Sequence, residues 1–250
     1  MFMSVVTHAP NVPVYAELAG KRVLITGLAP DAGVDLARGF ADHKCRLVLQ
    51  TREDGPQTDA LVTLLAQAAS ETEIFNSDLT SANAAVAFAQ GSAQILGGLD
   101  VAINLISVAR EDLAGRTSLD EIEALVSDKL LGATLMSRVI ANRMRLTLTE
   151  GLILNVVLMA SPRSEAERAF AGILRTALAG ITRNESREWA DKAIRINAVG
   201  PKGEMDAAEN GACLGSGPDL AALALYLASR KGSQLTGHIF DAEGVAGAGC

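Results

Sequence analysis

The stretch Val23-Leu24-Ile25-Thr26-Gly27-Leu28-Ala29-Pro30-Asp31-Ala32-Gly33 runs from an apolar segment into a glycine turn and then into a helical pattern. Glycines at such a junction let the chain turn tightly and bring backbone N–H groups against a pyrophosphate at a helix N-terminus. Gly27 and Gly33 are therefore candidate dinucleotide contacts. Pro30 withdraws one backbone donor, and Asp31 sets a negative charge where phosphate would lie. Asp31 reads equally well as the cap of a helix beginning near Ala32. Other reactive residue types form no pattern. His8, His43 and His238 match neither a nucleophile nor a metal arrangement, and Cys45, Cys213 and Cys250 stand at unrelated spacings. Ser161, Ser164 and Glu165 suit a helix cap with an acidic first turn better than catalysis. The chain has two tyrosines, Tyr15 and Tyr226, and none from Ala16 to Leu225.

Short runs rich in Val, Ile and Leu alternate with segments of helical period, and these elements must carry the loop residues. Strands are predicted over Arg22–Thr26, Arg46–Gln50, Ile74–Phe75, Val101–Ile106, Leu152–Leu158, Ile194–Val199 and near His238–Phe240. Helices are predicted over Gly33–His43, Gln57–Ser70, Ala82–Leu96, Leu119–Met144, Glu165–Trp189 and Leu220–Ser229. Continuous apolar strands imply a sheet covered on both faces, hence an α/β, Rossmann-like, doubly wound, seven-stranded parallel sheet with helices on both faces. Right-handed crossovers then gather the post-strand loops at the carboxyl edge. Residues 1–20 read as an extended lead-in and 21–250 as a single domain.

From about Lys21 to Gly244 the sequence resembles the short-chain dehydrogenases/reductases. The likeness rests on Thr26-Gly27…Gly33, Asp78-Leu79, Leu99-Asp100-Val101-Ala102-Ile103-Asn104 and Gly151-Leu152-Ile153-Leu154-Asn155. It continues through Gly180-Ile181-Thr182-Arg183, Ile194-Arg195-Ile196-Asn197-Ala198-Val199-Gly200-Pro201, Pro218-Asp219-Leu220, Tyr226-Leu227-Ala228-Ser229 and Thr236-Gly237-His238. The resemblance implies a Rossmann domain that binds NAD or NADP and assembles as a dimer or tetramer. It places Asp78 near the adenine ring and Asn104 at the start of the loop usually written Asn-Asn-Ala-Gly.

The family's hydride transfer uses an Asn, a Ser and a Tyr-x-x-x-Lys pair. The resemblance sets Lys129, Leu158, Ala171 and Arg175 at those positions, so no residue is assigned a catalytic role. A wider Tyr-x6-Lys spacing reaches Arg168 and fails too. Lys129 and Arg175, if they face one cleft, form a pocket for a small anion or nucleotide; otherwise Arg175 pairs with Asp128 or Glu165 and Lys129 points outward. Where NAD-preferring members end their second strand with an acid, this chain has Gln50-Thr51-Arg52. That favours NADP over NAD if either binds, unless Arg52 is a solvated loop residue paired with Glu53 or Asp54. Between Pro201 and Pro218 only 16 residues remain for a substrate lid.

A chain of 250 residues, 49% apolar and 20% charged, can bury a full core without disulfides. A net charge of −7 gives no basic footprint for nucleic acid, and no apolar run reaches the ~20 residues of a membrane span. The expected compartment is the cytoplasm. Helix Glu165–Trp189 carries the apolar stripe Ala169, Phe170, Ile173, Leu174, Ala177, Leu178 and Ile181. A second face of small residues, Gly172, Thr176, Ala179 and Gly180, is expected to meet its own copy in a homodimer or homotetramer. The expected function is ligand binding or subunit association without ordinary hydride transfer. The competing readings are an active NADP-dependent oxidoreductase rewired through Lys129 or a water held by polar neighbours, and a structural partner of an active relative.

Overall fold

Seven strands form one sheet: β1 (Arg22–Leu28), β2 (Arg46–Thr51), β3 (Glu71–Asn76), β4 (Val101–Val108), β5 (Gly151–Met159), β6 (Ile194–Pro201) and β7 (Ile239–Ala242). The computed structural model describes residues 15–30, 32–52, 54–79, 81–116, 118–202 and 213–243. Asp31, Glu53, most of the lead-in and most of the segment between Pro201 and Pro218 lie outside those residues, and so does Cys250. All strands are parallel in the order β3-β2-β1-β4-β5-β6-β7. The winding direction reverses between β1 and β4, which makes this the doubly wound Rossmann arrangement.

Among the described residues seven α-helices connect and cover the strands: α1 (Val34–Asp42), α2 (Pro56–Ala68), α3 (Ala82–Ile95), α4 (Arg110–Leu113), α5 (Leu119–Leu146), α6 (Glu165–Trp189) and α7 (Gly217–Ala228). Side chains alternate across the sheet with a period of two residues, so each strand feeds two cores. Val23, Ile25, Ile103 and Leu154 pack with Leu36 and Phe40 of α1 and with Leu220 and Leu227 of α7. Leu24, Ala102 and Ile153 point the other way, onto Ala85 and Ala89 of α3 and Ile140 and Met144 of α5. Each fully buried Leu, Ile or Phe contributes roughly 1.5–3 kcal/mol. Ser81, Ser164 and Ser216 each accept a backbone N–H as the N-caps of α3, α6 and α7. Ser118 and Glu121 close a reciprocal capping box on α5. A cap of this kind stabilises by about 1 kcal/mol.

Four elements depart from the sequence expectation. β3 extends over Glu71–Asn76 rather than Ile74–Phe75, because a strand at the sheet edge can keep polar residues at its exposed positions. β1 continues past Gly27, so that Leu28 pairs with Thr51 beyond an irregularity in register. Between β4 and α5 the chain makes the single turn α4, too short to show a period, with Ala109 N donating to the Asp112 carboxylate at 2.8 Å. On α6 the stripe Phe170, Leu174 and Leu178 is buried, as a repeat near 3.6 requires. Ile173 and Ala169, members of the same apolar stripe in the sequence, lie on its flank and are exposed.

Candidate functional site

The loops that could carry chemistry meet at the carboxyl edge, where β1 and β4 stand side by side. Thr26, the last residue before the glycine turn, donates from its hydroxyl to Asn104 Oδ1 at 3.1 Å. Asn104 donates in turn to Asn155 Oδ1 at 2.8 Å and to Ser137 Oγ at 3.3 Å, and Ser137 Oγ donates to Asn155 Oδ1 at 3.2 Å. All four side chains are buried. This network ties β1, β4, β5 and α5 together, as buried polar groups in a low dielectric must if they are not to cost stability. The side chain of Asn104 is thus spent inside the sheet.

The glycine loop is closed on itself. Ala29 and Ala32 exchange two backbone hydrogen bonds of 3.1 Å, and Gly27 N donates to the buried Gln50 Oε1 at 2.7 Å. Gln50 is anchored by its own Nε2, which donates to Ser77 O at 2.6 Å. Both fingerprint glycines have positive φ, 75° at Gly27 and 82° at Gly33, and both make room for β4. A Cβ at Gly27 would collide with the carbonyl oxygen of Leu105, and one at Gly33 with the Leu105 side chain. Leu105, Leu28 and Leu158 are 7%, 4% and 3% exposed and belong to one apolar cluster that also takes in Ala242 and Leu220. At α1, Asp35 lies against Gly217 at the start of α7, adding a carboxylate beside the helix N-terminus. A dinucleotide pyrophosphate needs free amides and open space over such a loop. The amides of Gly27, Ala29 and Ala32 are taken and Pro30 has none, so these four positions offer a pyrophosphate no donor in this conformation.

Three cationic residues at this edge, Lys129, Arg175 and Arg110, are each paired with an acid that the sequence did not single out. Lys129 Nζ lies 2.6 Å from Asp112, whose carboxylate also caps α4. Arg175 on α6 lies 2.6 Å from Asp241 of β7. The acids proposed for Arg175, Asp128 and Glu165, are therefore not its partners in that bridge, and Lys129 is partly buried rather than directed outward. Arg110 braces the loops after β4 and β5: its guanidinium donates to Glu167 and to Ser161 O at 2.8 and 2.9 Å. Hydrogen bonds from the Arg163 backbone and from Arg110 outweigh desolvation and hold the Glu167 carboxyl below its usual range. Leu158 and Ala171 are buried, and neither offers a proton.

The remaining candidates lie on the rim. Arg52 is exposed just past the end of β2, and Asp78 is exposed after β3. Asp31, the alternative helix cap, is outside the described residues, and the residue in the cap position of α1 is Gly33. His43 ends α1, stacks on Tyr15 and contacts Gly39 O through Nδ1, which accounts for it structurally. Among the described residues no group of three or more His, Cys, Asp or Glu could hold a metal ion. In the same residues no helix is long and apolar enough to cross a membrane.

Comparison with known proteins agrees with this architecture. The family described as Enoyl-(Acyl carrier protein) reductase matches residues 27–244. The chain is 23% identical over 248 residues to 3beta-hydroxysteroid dehydrogenase 1 of Eggerthella lenta, covering 92% of this chain and 95% of that protein. It is 25% identical over 244 residues to the 3-oxoacyl-[acyl-carrier-protein] reductase FabG of Chlamydia muridarum, covering 91% and 97%. The solved structure of an NADH-dependent reductase, A1-R', complexed with NAD superposes with a TM-score of 0.74 at 24% identity, covering 92% and 98%. The chain belongs to the short-chain dehydrogenase/reductase family.

Proposed function

We propose that this chain is an oxidoreductase-like member of the short-chain dehydrogenase/reductase family that does not perform the family's hydride transfer. In this reading its fold serves ligand binding or association with another subunit. The observation that carries the reading is the absence of any tyrosine between Ala16 and Leu225, which no shift of alignment can repair. General acid catalysis needs a group that can release a proton near the working pH, and arginine cannot. Leu158, Ala171 and Arg175 therefore supply no substitute. The competing assignment of Lys129 as the acid is opposed by its contact with Asp112, which commits the ammonium to an ion pair.

The chain's relatives support a nicotinamide nucleotide as the ligand class to test first. Arg52, standing after β2 where an acid would select NAD, ranks NADP above NAD. The closed glycine loop argues for weak binding of either. Cys45 and Cys213 are free thiols, in keeping with a reducing cytoplasm. Titrating NADPH and NADH, then adding a 3-oxoacyl thioester or a 3-ketosteroid, tests the reading. Binding without consumption of reduced nucleotide supports a ligand role, and no binding supports association alone. Consumption that Lys129→Met abolishes would establish the rewired enzyme instead. Equal affinity of an inorganic phosphate probe for the parent and Arg175→Ala would remove Arg175 from any anion site.

A further inference from the structure

The amino edge of the sheet, opposite the loops described above, carries a cleft of about 560 Å³ that neither the fold nor the family reading uses. A cavity of this size suits a small molecule. It opens between the starts of β4, β5 and β6 and the turn that follows α7; its charged lining residues are Asp100, Glu150 and Arg195, with Lys21 3.9 Å from Asp100 and Glu17 accepting from Arg230 N. The charges there differ in how far they are already engaged. Asp100 is saturated: the Arg22 side chain grips both carboxylate oxygens at 2.9 Å and the Arg22 backbone N–H adds a third bond. Burial alone would raise the Asp100 pKa, and the Arg22 bonds more than reverse it.

Arg195 differs. One of its nitrogens donates to Leu227 O and Gly232 O at 2.6 and 2.9 Å, which fixes the guanidinium in place. No acid among the described residues lies within ion-pairing distance of it, and its other two nitrogens have no hydrogen-bond partner there. Burial lowers the Arg195 pKa and the field of Glu150 raises it, so the two charges sense each other without touching. Glu150 is exposed, and its carboxylate has no hydrogen-bond partner among the described residues. The C-terminal end of α7, at Ala228, also reaches the cleft, and helix C-termini favour positive charge. A held guanidinium with donors to spare and an open carboxylate therefore line one cleft of small-molecule size.

We propose that this cleft binds a zwitterion of amino-acid to dipeptide size, its carboxylate on Arg195 and its ammonium on Glu150. A fork of guanidinium donors is well matched to a carboxylate, and the two ends of one ligand satisfy two groups that do not reach each other. The chain's one tryptophan, Trp189, adjoins Ala190 in the cleft wall, so its fluorescence reports occupancy. The test titrates the full chain with L-alanyl-L-alanine, with its N-acetyl form lacking the ammonium, and with its amide lacking the carboxylate. The expected result is saturable binding of the dipeptide, with each blocked form at least about tenfold weaker. Glu150→Gln, a change at an exposed site, is expected to weaken the dipeptide by a similar factor and leave the melting temperature unchanged. No saturable response to the dipeptide, equal responses to all three compounds, or an unaltered affinity in Glu150→Gln would overturn the proposal.

Discussion

Glu185 lies on the inner side of α6 at 4% exposure, and neither of its carboxylate oxygens has a hydrogen-bond partner among the described residues. Thr182 Oγ1 and Trp189 Nε1, three residues before and four after it, are likewise buried without one. Burial pushes the Glu185 carboxyl up to about 7; the nearby Arg138 pulls it down and Glu188 pushes it further up. An unfolded chain releases that proton near 4.5 and the folded one near 7, so the folded state holds the extra proton between those values. Stability therefore falls as pH rises across that window and stays lowered above it, by about 3 kcal/mol in total. Glu185→Leu should remove this dependence, gaining on the parent by about that amount between roughly pH 4 and pH 8 in chemical denaturation. If the two proteins keep a constant difference across that range, the buried carboxyl is not titrating as described.

The elements decide which residues could be read in advance. Strands with continuous apolar runs and helices with a clear repeat are legible because period and burial coincide, as in β5 and in the Phe170, Leu174 and Leu178 stripe of α6. β3 is the exception, since an edge strand need not be apolar throughout. The candidate site is less legible, because partners such as Asp112 for Lys129 and Asp241 for Arg175 are set by packing between elements far apart in sequence. Nor does a pattern of glycines tell whether they approach a ligand or another strand. At the β1–α1 junction they approach β4, which gives a specific expectation. Gly27→Ala would force a side chain onto a positive φ and into the Leu105 carbonyl, and should destabilise by about 2–4 kcal/mol, seen as a lower denaturation midpoint. A variant as stable as the parent would show that Leu105 does not hold the loop closed.

At the scale of the whole molecule, the sheet and both helix layers are those of a dehydrogenase, while the carboxyl edge is occupied by leucines and ion pairs. Among the described residues the outer face of α6 is left open: none lies within 4 Å of a Cβ at Gly172 or Gly180, Thr176 is exposed, and Leu131 of α5 and Ile173 are exposed as well. A two-fold interface would bring such a face against its own copy. Light scattering at micromolar concentration should give a dimer or tetramer, with Gly180→Arg shifting it toward monomer; a parent chain that is already monomeric would refute this. The most direct measurement of the central claim is a single-turnover assay with excess protein, NADPH and a 3-oxoacyl thioester, read by the absorbance of reduced nicotinamide. The absorbance is expected to stay constant. Stoichiometric loss of reduced nicotinamide would contradict it and restore this chain to the enzymes of its family.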